Sequence, residues 1–451
     1  MEQVLEKLNS LVWGLPALVG ILGVGIYLTW RTGFAQLRLF PEALSRFGRM
    51  FRGWDKSSFR SLCTALGATV GTGNLVGVAG AMALGGPGSI FWMWICGILG
   101  MATKYAEAVL AVRYRVREKG ELHGGPMYVI TRGLGEKWRW MAWIYCGFGV
   151  IASLGVGNAT QINAMVSSIR QLTGALGERG NWLLGIGLAL LVGLLLRGGA
   201  VGIGKTAEKL VPLAALGYIS LCALVLILRF DRVGEAFRLI IQGAFDPKAV
   251  TGGLIGSAFG VLRVGCARGV FTNEAGMGTA GIAHGGAEVD HPVHQGMMGI
   301  VEVFLDTILI CTLTALVILV SGVPIPYGED VGGALTSAAF RTVCGDWAEI
   351  FLAGSICCFA LATVLGWGLY GLRCVGFLLG EKGKGYFIWL QMGASLLGTL
   401  LGTGVIWLLA EIVNGLMAIP NLIVLALLGR EVAELTAAYR KCKRYPLQKT
   451  E

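Results

Sequence analysis

The stretch Gly67-Ala68-Thr69-Val70-Gly71-Thr72-Gly73-Asn74-Leu75-Val76-Gly77 interrupts an apolar run over 60–84, in its middle and not at its ends. Glycine costs a helix interior about 1 kcal/mol relative to alanine, and threonine and asparagine offer the backbone competing hydrogen bonds. The pattern therefore predicts a helix that unwinds between two shorter arms. Inside hydrocarbon, the freed N–H and C=O groups are tolerated only where protein buries them or where they line a cavity.

Composition says that the surroundings are hydrocarbon. The 451 residues are 55% hydrophobic and 14% charged, where a soluble domain carries about 25% charged residues. Apolar runs recur from Leu11 to Leu428, each about the length that crosses roughly 30 Å of hydrocarbon as helix. Eleven crossings are expected, over 11–30, 60–84, 88–112, 140–168, 182–197, 208–228, 250–284, 296–321, 349–372, 385–402 and 404–429. The fold class is thus an all-α, multi-pass membrane protein forming a single transmembrane domain over 1–451, with no soluble domain between the spans.

The crossing over 250–284 carries a comparable interruption, from Gly265 through Arg268, Phe271, Thr272, Asn273, Glu274 and Gly276 to Gly278. It lies five helices after the first. Paired breaks at matching places in two five-helix halves mark an inverted-repeat transporter, with its site near the midplane between them. The expected halves are 60–228 and 250–429, preceded by one extra N-terminal helix over 11–30 and followed by a basic cytoplasmic tail over 430–451. Half-helix N-termini offer unpaired N–H groups to a carboxylate. Unwound carbonyls offer hard oxygens to sodium and to an ammonium. A zwitterionic amino acid has both complementary charges. The competing reading of either break alone is a packing device between close helices.

Lysine and arginine set the orientation. Seven lie between Arg31 and Arg60, seven between Arg113 and Arg139 and six from Arg430 onward, against one in the first ten residues. By the positive-inside rule the N-terminus is outside and the C-terminus cytoplasmic. The stretch 229–248, on the outer side by this count, still holds four basic residues, and reads either as an amphipathic surface segment or as a solvated loop. The net charge of +10 is explained by membrane topology and does not imply nucleic-acid binding. The first run has no basic stretch before it and no small-residue cleavage site after it, so it reads as a retained helix. The eleven cysteines are scattered without CxxC spacing and read as small core residues. Gly398 to Gly402 has the spacing of a close helix contact.

Four motifs run in order along the chain: Gly71-Thr72-Gly73-Asn74; Gly85-Gly86-Pro87-Gly88 with Phe91-Trp92-Met93-Trp94; Gly124-Gly125-Pro126-Met127-Tyr128; and Asn273-Glu274-Ala275-Gly276-Met277-Gly278. At these motifs the chain resembles the alanine or glycine:cation symporter family. The resemblance implies a leucine-transporter-type fold and sodium-coupled uptake of alanine or glycine. It implies that Thr72, Gly73 and Asn74 meet the substrate carboxylate, and that Phe271, Thr272 and Asn273 meet the ammonium. Gly157, Asn158 and Gln161 would face the pocket, and Trp367 would cover a small side chain. Sodium would take the carbonyls of Gly67, Val70 and Phe359 and the hydroxyl of Thr363. The chain departs from the family at Ala362, where a serine hydroxyl is usual, and at Leu361 and Leu372. Sodium therefore has one oxygen fewer, which leaves a water, weaker binding or another cation as alternatives.

Other candidates weigh less. Gly199 to Thr206 matches a phosphate-binding loop letter for letter, yet it joins two membrane helices where a true loop follows a buried strand. His284, His291 and His294 have no carboxylate or thiol at ligand spacing and read as a loop or gate; His123 falls in another loop. Charges within crossings need partners: Lys104 with Glu107, three residues apart, and Glu274 with Arg268, while Asp306 is open between function and structural pairing. A channel is the rival reading. An enzyme finds no HExxH, nucleophile elbow or paired aspartate motif, and no cofactor beyond the coupling ion is called for. Sodium, a small neutral amino acid and the bilayer of a prokaryotic plasma membrane are the expected partners.

Overall fold

The structure is a computed structural model, and it describes residues 2–174, 177–329, 332–400 and 404–444. The described residues are helical nearly throughout, and among them one two-stranded antiparallel hairpin pairs Val116–Glu118 with Glu121–His123. Among the described residues seven helices are long and apolar enough to cross a bilayer, and a bent pair makes an eighth. The helix Trp347–Leu400 is kinked at Gly380, whose φ of 70° and ψ of −167° are not helical, and the expected segments 349–372 and 385–402 lie on its two arms. Residues 401–402, and with them the end of the Gly398 contact, lie outside the described residues, as does the tail beyond Arg444. Gly398 itself is packed so closely that an added Cβ would stand 2.4 Å from the Ala159 carbonyl oxygen.

The bent pair is the first expected break. Helix Lys56–Thr69 is capped by Asp55, whose carboxylate accepts the Ser58 N–H at 3.0 Å. It stops at Val70, where ψ of 94° turns the backbone out of the helix. After Gly71 and Thr72 a π turn over Gly73–Gly77 leads into Val78–Gly85, and the two arms differ by 48°.

The second break is shorter than expected. Helix Ala258–Asn273 is continuous through Gly265 and Gly269, and the chain opens only over 274–278 before resuming as Thr279–His284. The reason is packing. A Cβ on Gly265 would stand 2.3 Å from the Ser89 carbonyl oxygen, so these glycines admit the helix Ser89–Arg113 and stay helical. The opening belongs instead to Glu274, Gly276 and Gly278, whose φ values of 52°, 97° and 79° are left-handed and which no continuing helix accommodates.

The segment over 229–248 is an amphipathic helix, Phe230–Phe245, with Phe230 and Phe245 exposed and Ala236, Ile240 and Ala244 buried. Its Gly243 accepts the Gly85-Gly86-Pro87-Gly88 turn, where a Cβ on Gly88 would overlap the Gly243 backbone at 2.1 Å. The phosphate-loop lookalike Gly199 to Thr206 is simply the first turns of helix Gly199–Leu228, with Lys205 and Lys209 exposed. The ten cysteines from Cys63 to Cys374 are free.

Candidate functional site

The two breaks meet. A Cβ on Gly73 would lie 3.4 Å from Thr272 Cγ2, so the π turn after the first break rests on the last helical turn before the second. Asn74 is the hub of the first. Its Oδ1 accepts the Gly71 N–H at 2.9 Å, and its Nδ2 donates to the Asp306 carboxylate at 2.7 Å and to the Asp306 carbonyl at 3.1 Å. One side chain thereby pins the unwound backbone and ties it to the helix that follows the second break. Asp306 lies in a π stretch, Phe304–Cys311, and its other oxygen accepts the Thr307 hydroxyl at 2.7 Å. Widened helical turns of this kind expose backbone groups and recur at functional positions.

Thr72 donates to Gln161 Oε1 at 3.1 Å, and Gln161 Nε2 donates to the Val156 carbonyl at 3.1 Å. Val156 lies on, and Gln161 just after, another π turn, Gly155–Ala159. Thr72 also lines a cavity of about 490 Å³ with Val76, Asn163, Ser168 and Arg341. On the Lys56 side of the break a second cavity, of about 510 Å³, is lined by Arg60, Thr64, Ile282 and Arg373. The first recess thus reaches the first break itself, and the second borders the arm that enters it and the arm that leaves the second break.

Beside them is an oxygen cluster. The Thr363 hydroxyl lies 3.0 Å from the Gly67 carbonyl oxygen and 3.0 Å from that of Phe359. A Cβ on Gly71 would stand 2.6 Å from that hydroxyl. Hard oxygens converging from an interrupted helix and a facing one are a donor set suited to a small hard cation. Ala362 faces Gly67, its carbonyl oxygen 3.3 Å and its Cβ 3.4 Å from where a Gly67 Cβ would be, so the hydroxyl missing from the sequence is missing at this wall. Val70, 2% exposed, turns its carbonyl out of helical register at the same break.

The structure therefore brings together Thr72, Gly73, Asn74, Gln161 and Thr272, and separately Gly67, Phe359 and Thr363. The other expected residues are not tied into these two clusters by hydrogen bonds. Asn273 folds back on its own segment, Oδ1 accepting the Ala275 N–H at 3.0 Å, and lies against Gly100. Phe271 is only partly buried. Asn158 turns from the breaks to Gln391, whose carbonyl accepts from it at 2.9 Å, and to Ser395. Trp367 is fully buried and packs on Gly157, with its indole N–H donating to Glu274 Oε1 at 2.9 Å.

The expected charge pairs are rearranged. Lys104 pairs with Glu302 at 2.7 Å and not with Glu107. Glu107 Oε1 is occupied by the backbone N–H groups of Gly276 (2.9 Å) and Gly278 (3.1 Å) and by Asn421 Nδ2 (2.8 Å). Glu274 bonds to Trp367 and Thr279 and not to Arg268. His284 is wholly buried between Glu302 and Gln295 and does not belong to a solvated loop. No group of three or more metal-ligating side chains forms among the described residues. Sequence reasoning missed Glu302 and Asn421; the available signal was a carboxylate and an amide inside apolar runs, each needing a partner there.

A sequence model of the sodium:alanine symporter family matches residues 1–451. This chain belongs to that family. The symporter is 40% identical to the sodium/alanine symporter AgcS of Methanococcus maripaludis, the match covering 97% of each chain. It is 42% identical to an uncharacterized transporter of Haemophilus influenzae, covering 97% of this chain and 96% of the other. It is 35% identical to GlnT of Bacillus subtilis, named as a probable sodium/glutamine symporter, over 98% and 92% of the two. The crystal structure of MhsT in complex with L-phenylalanine superposes with a TM-score of 0.55 at 13% identity, covering 84% of this chain and 97% of that one. The fold is of the leucine-transporter type, and the symporter is a multi-pass membrane transporter and not an enzyme.

Proposed function

We propose that this symporter brings small neutral amino acids, alanine or glycine, into a prokaryotic cell together with sodium by alternating access. The observation that carries this reading is the single interrupted helix that serves both clusters. Gly67, bonded to Thr363, and Asn74, bonded to Asp306, lie on either side of the same break. Ordering that break around a cation therefore orders the amino-acid contacts as well. In this reading Thr72, Gly73 and Asn74 hold the substrate carboxylate, Phe271, Thr272 and Asn273 the ammonium, Gln161 and Trp367 the wall of the pocket, and Gly67, Val70, Phe359 and Thr363 the sodium.

Eleven crossings in two inverted halves of five behind one extra helix, with the N-terminus outside and the C-terminus cytoplasmic, complete the architecture; the lysine and arginine distribution supports it. The first, second, sixth and seventh core helices move as the gate.

The test is uptake of radiolabelled alanine into proteoliposomes with and without an inward sodium gradient. Sodium-driven accumulation, abolished by Asn74→Ala, is expected. Accumulation that follows a pH gradient and ignores sodium would make Ala362 the mark of proton coupling. Competition by glycine, D-alanine and glutamine ranks the substrates, and unsaturable flux would make the protein a channel.

A further inference from the structure

Glu274 is a carboxylate 4% exposed at the point where the second broken helix opens. Its backbone is left-handed, with φ of 52°, a strained state for a residue with a side chain. Unwinding alone does not require it, because Gly276 and Gly278 already supply left-handed turns. A buried carboxylate in a membrane core is costly unless its bonds are used, and here both oxygens are. Oε1 accepts the Trp367 indole N–H at 2.9 Å, and Oε2 accepts the Thr279 hydroxyl at 2.8 Å. Thr279 opens the short arm Thr279–His284, so one side chain spans the break and reaches a different helix.

The other side of the indole is closed. A Cβ on Gly157 would stand 2.2 Å from Trp367 Cβ and 2.5 Å from Cγ. Tyr370 meets the ring edge-on, with centroids 5.6 Å apart. Trp367 also follows Thr363 by one helical turn, on the same face of the helix. The indole thus has one orientation, set by a wall on one side and by a hydrogen bond from the broken helix on the other. Glu107 grips the same broken segment by its backbone from the helix Ser89–Arg113.

We propose that Glu274 is the positioning residue for Trp367: it carries the indole with the second broken helix and so sets how large a substrate side chain the pocket admits. This rests on the reading of the paired breaks as the amino-acid site. Losing the acceptor frees the ring to turn, and the space it vacates admits a larger aliphatic group.

Sodium-driven uptake of alanine and valine is to be compared in the wild type, Glu274→Ala, Glu274→Gln, Trp367→Phe and the Glu274→Ala/Trp367→Phe double variant. Glutamine keeps the accepting oxygen, and Thr279 can reverse its hydroxyl role, so Glu274→Gln is expected to keep the wild-type alanine-over-valine ratio. Glu274→Ala and Trp367→Phe are each expected to raise the KM for alanine roughly tenfold, the scale of one lost charge-assisted bond, and to lower that ratio with little change in kcat. The double variant should match Trp367→Phe alone. An unchanged ratio in Glu274→Ala, additive losses in the double variant, or a Glu274→Gln as impaired as Glu274→Ala overturns the proposal.

A second readout separates this from the transport reading. The indole ¹⁵N–¹H resonance lost in Trp367→Phe should move in Glu274→Ala and hold its place in Glu274→Gln. That pattern in a protein that takes up no alanine defeats the substrate assignment alone; an unmoved resonance in Glu274→Ala defeats the positioning role whatever is transported.

Discussion

The Lys104 ammonium and the Glu302 carboxylate lie 2.7 Å apart with both side chains at zero exposure. The second carboxylate oxygen of Glu302 bonds His284 Nε2 at 2.9 Å. This joins the helix Ser89–Arg113 to Pro292–Val303 and to the short arm of the second broken helix. Removing one member of a buried pair strands the other charge, which costs about 3–5 kcal/mol, whereas replacing both by neutral groups of similar volume costs far less. Lys104→Met should therefore lower the thermal unfolding temperature sharply, and Lys104→Met/Glu302→Gln should regain part of the loss. A double variant less stable than Lys104→Met would show that the pair does not act as a unit.

The cation cluster has a sequence defect that can be refilled. Ala362 stands at the wall of Gly67, so Ala362→Ser adds a hydroxyl oxygen there. Its half-saturating sodium concentration for alanine uptake should fall several-fold, and Thr363→Ala, which loses the hydroxyl between Gly67 and Phe359, should raise it roughly tenfold, the scale of one charge-assisted bond. No change in either direction would move the cation elsewhere.

Two glycines of the helix that carries the Gly155–Ala159 turn separate close packing from simple flexibility. Gly157→Ala drives a methyl carbon to 2.2 Å from Trp367 Cβ, whereas Gly147 has open space around it. Overpacking costs typically about 1–3 kcal/mol, while glycine to alanine in an open helix gains about 1 kcal/mol. Thermal unfolding should fall for Gly157→Ala, with loss of uptake, and hold or rise for Gly147→Ala.

The hairpin docks through a neutral histidine. Arg373 Nη1 lies 2.7 Å and 3.0 Å from the two ring nitrogens of His123, and Arg373 Nη2 bonds Glu121 at 3.0 Å. Burial first, and the Arg373 guanidinium next, push the His123 ring down from 6.5 to about 4. A depressed histidine binds its proton more readily when the hairpin is undocked. Docking is thus at full strength above pH 6.5 and weakens as pH falls toward 4. Amide protection factors over Val116–His123, corrected for the intrinsic exchange rate at each pH, should fall between pH 7 and pH 5, and His123→Gln should flatten that dependence.

The first break, the recurrence of long apolar helices and the membrane setting were legible in sequence because they are one-dimensional properties. A polar or glycine-rich interruption inside an apolar run costs helix wherever the chain later goes, and an apolar run of sufficient length partitions into lipid by itself. The hairpin Val116–His123 was not legible, because three-residue strands carry too little alternation to register.

Only tertiary structure decided what each glycine and each charge does. Gly265 and Gly276 look alike in sequence, but Gly265 meets the Ser89 carbonyl and stays helical, while Gly276 takes a left-handed turn whose N–H reaches Glu107. Glu107, three residues from Lys104, is claimed by that backbone, which leaves Lys104 to Glu302, 198 residues away. A buried ion takes the partner that satisfies most of its bonds in the dry interior, and sequence distance has no weight in that choice.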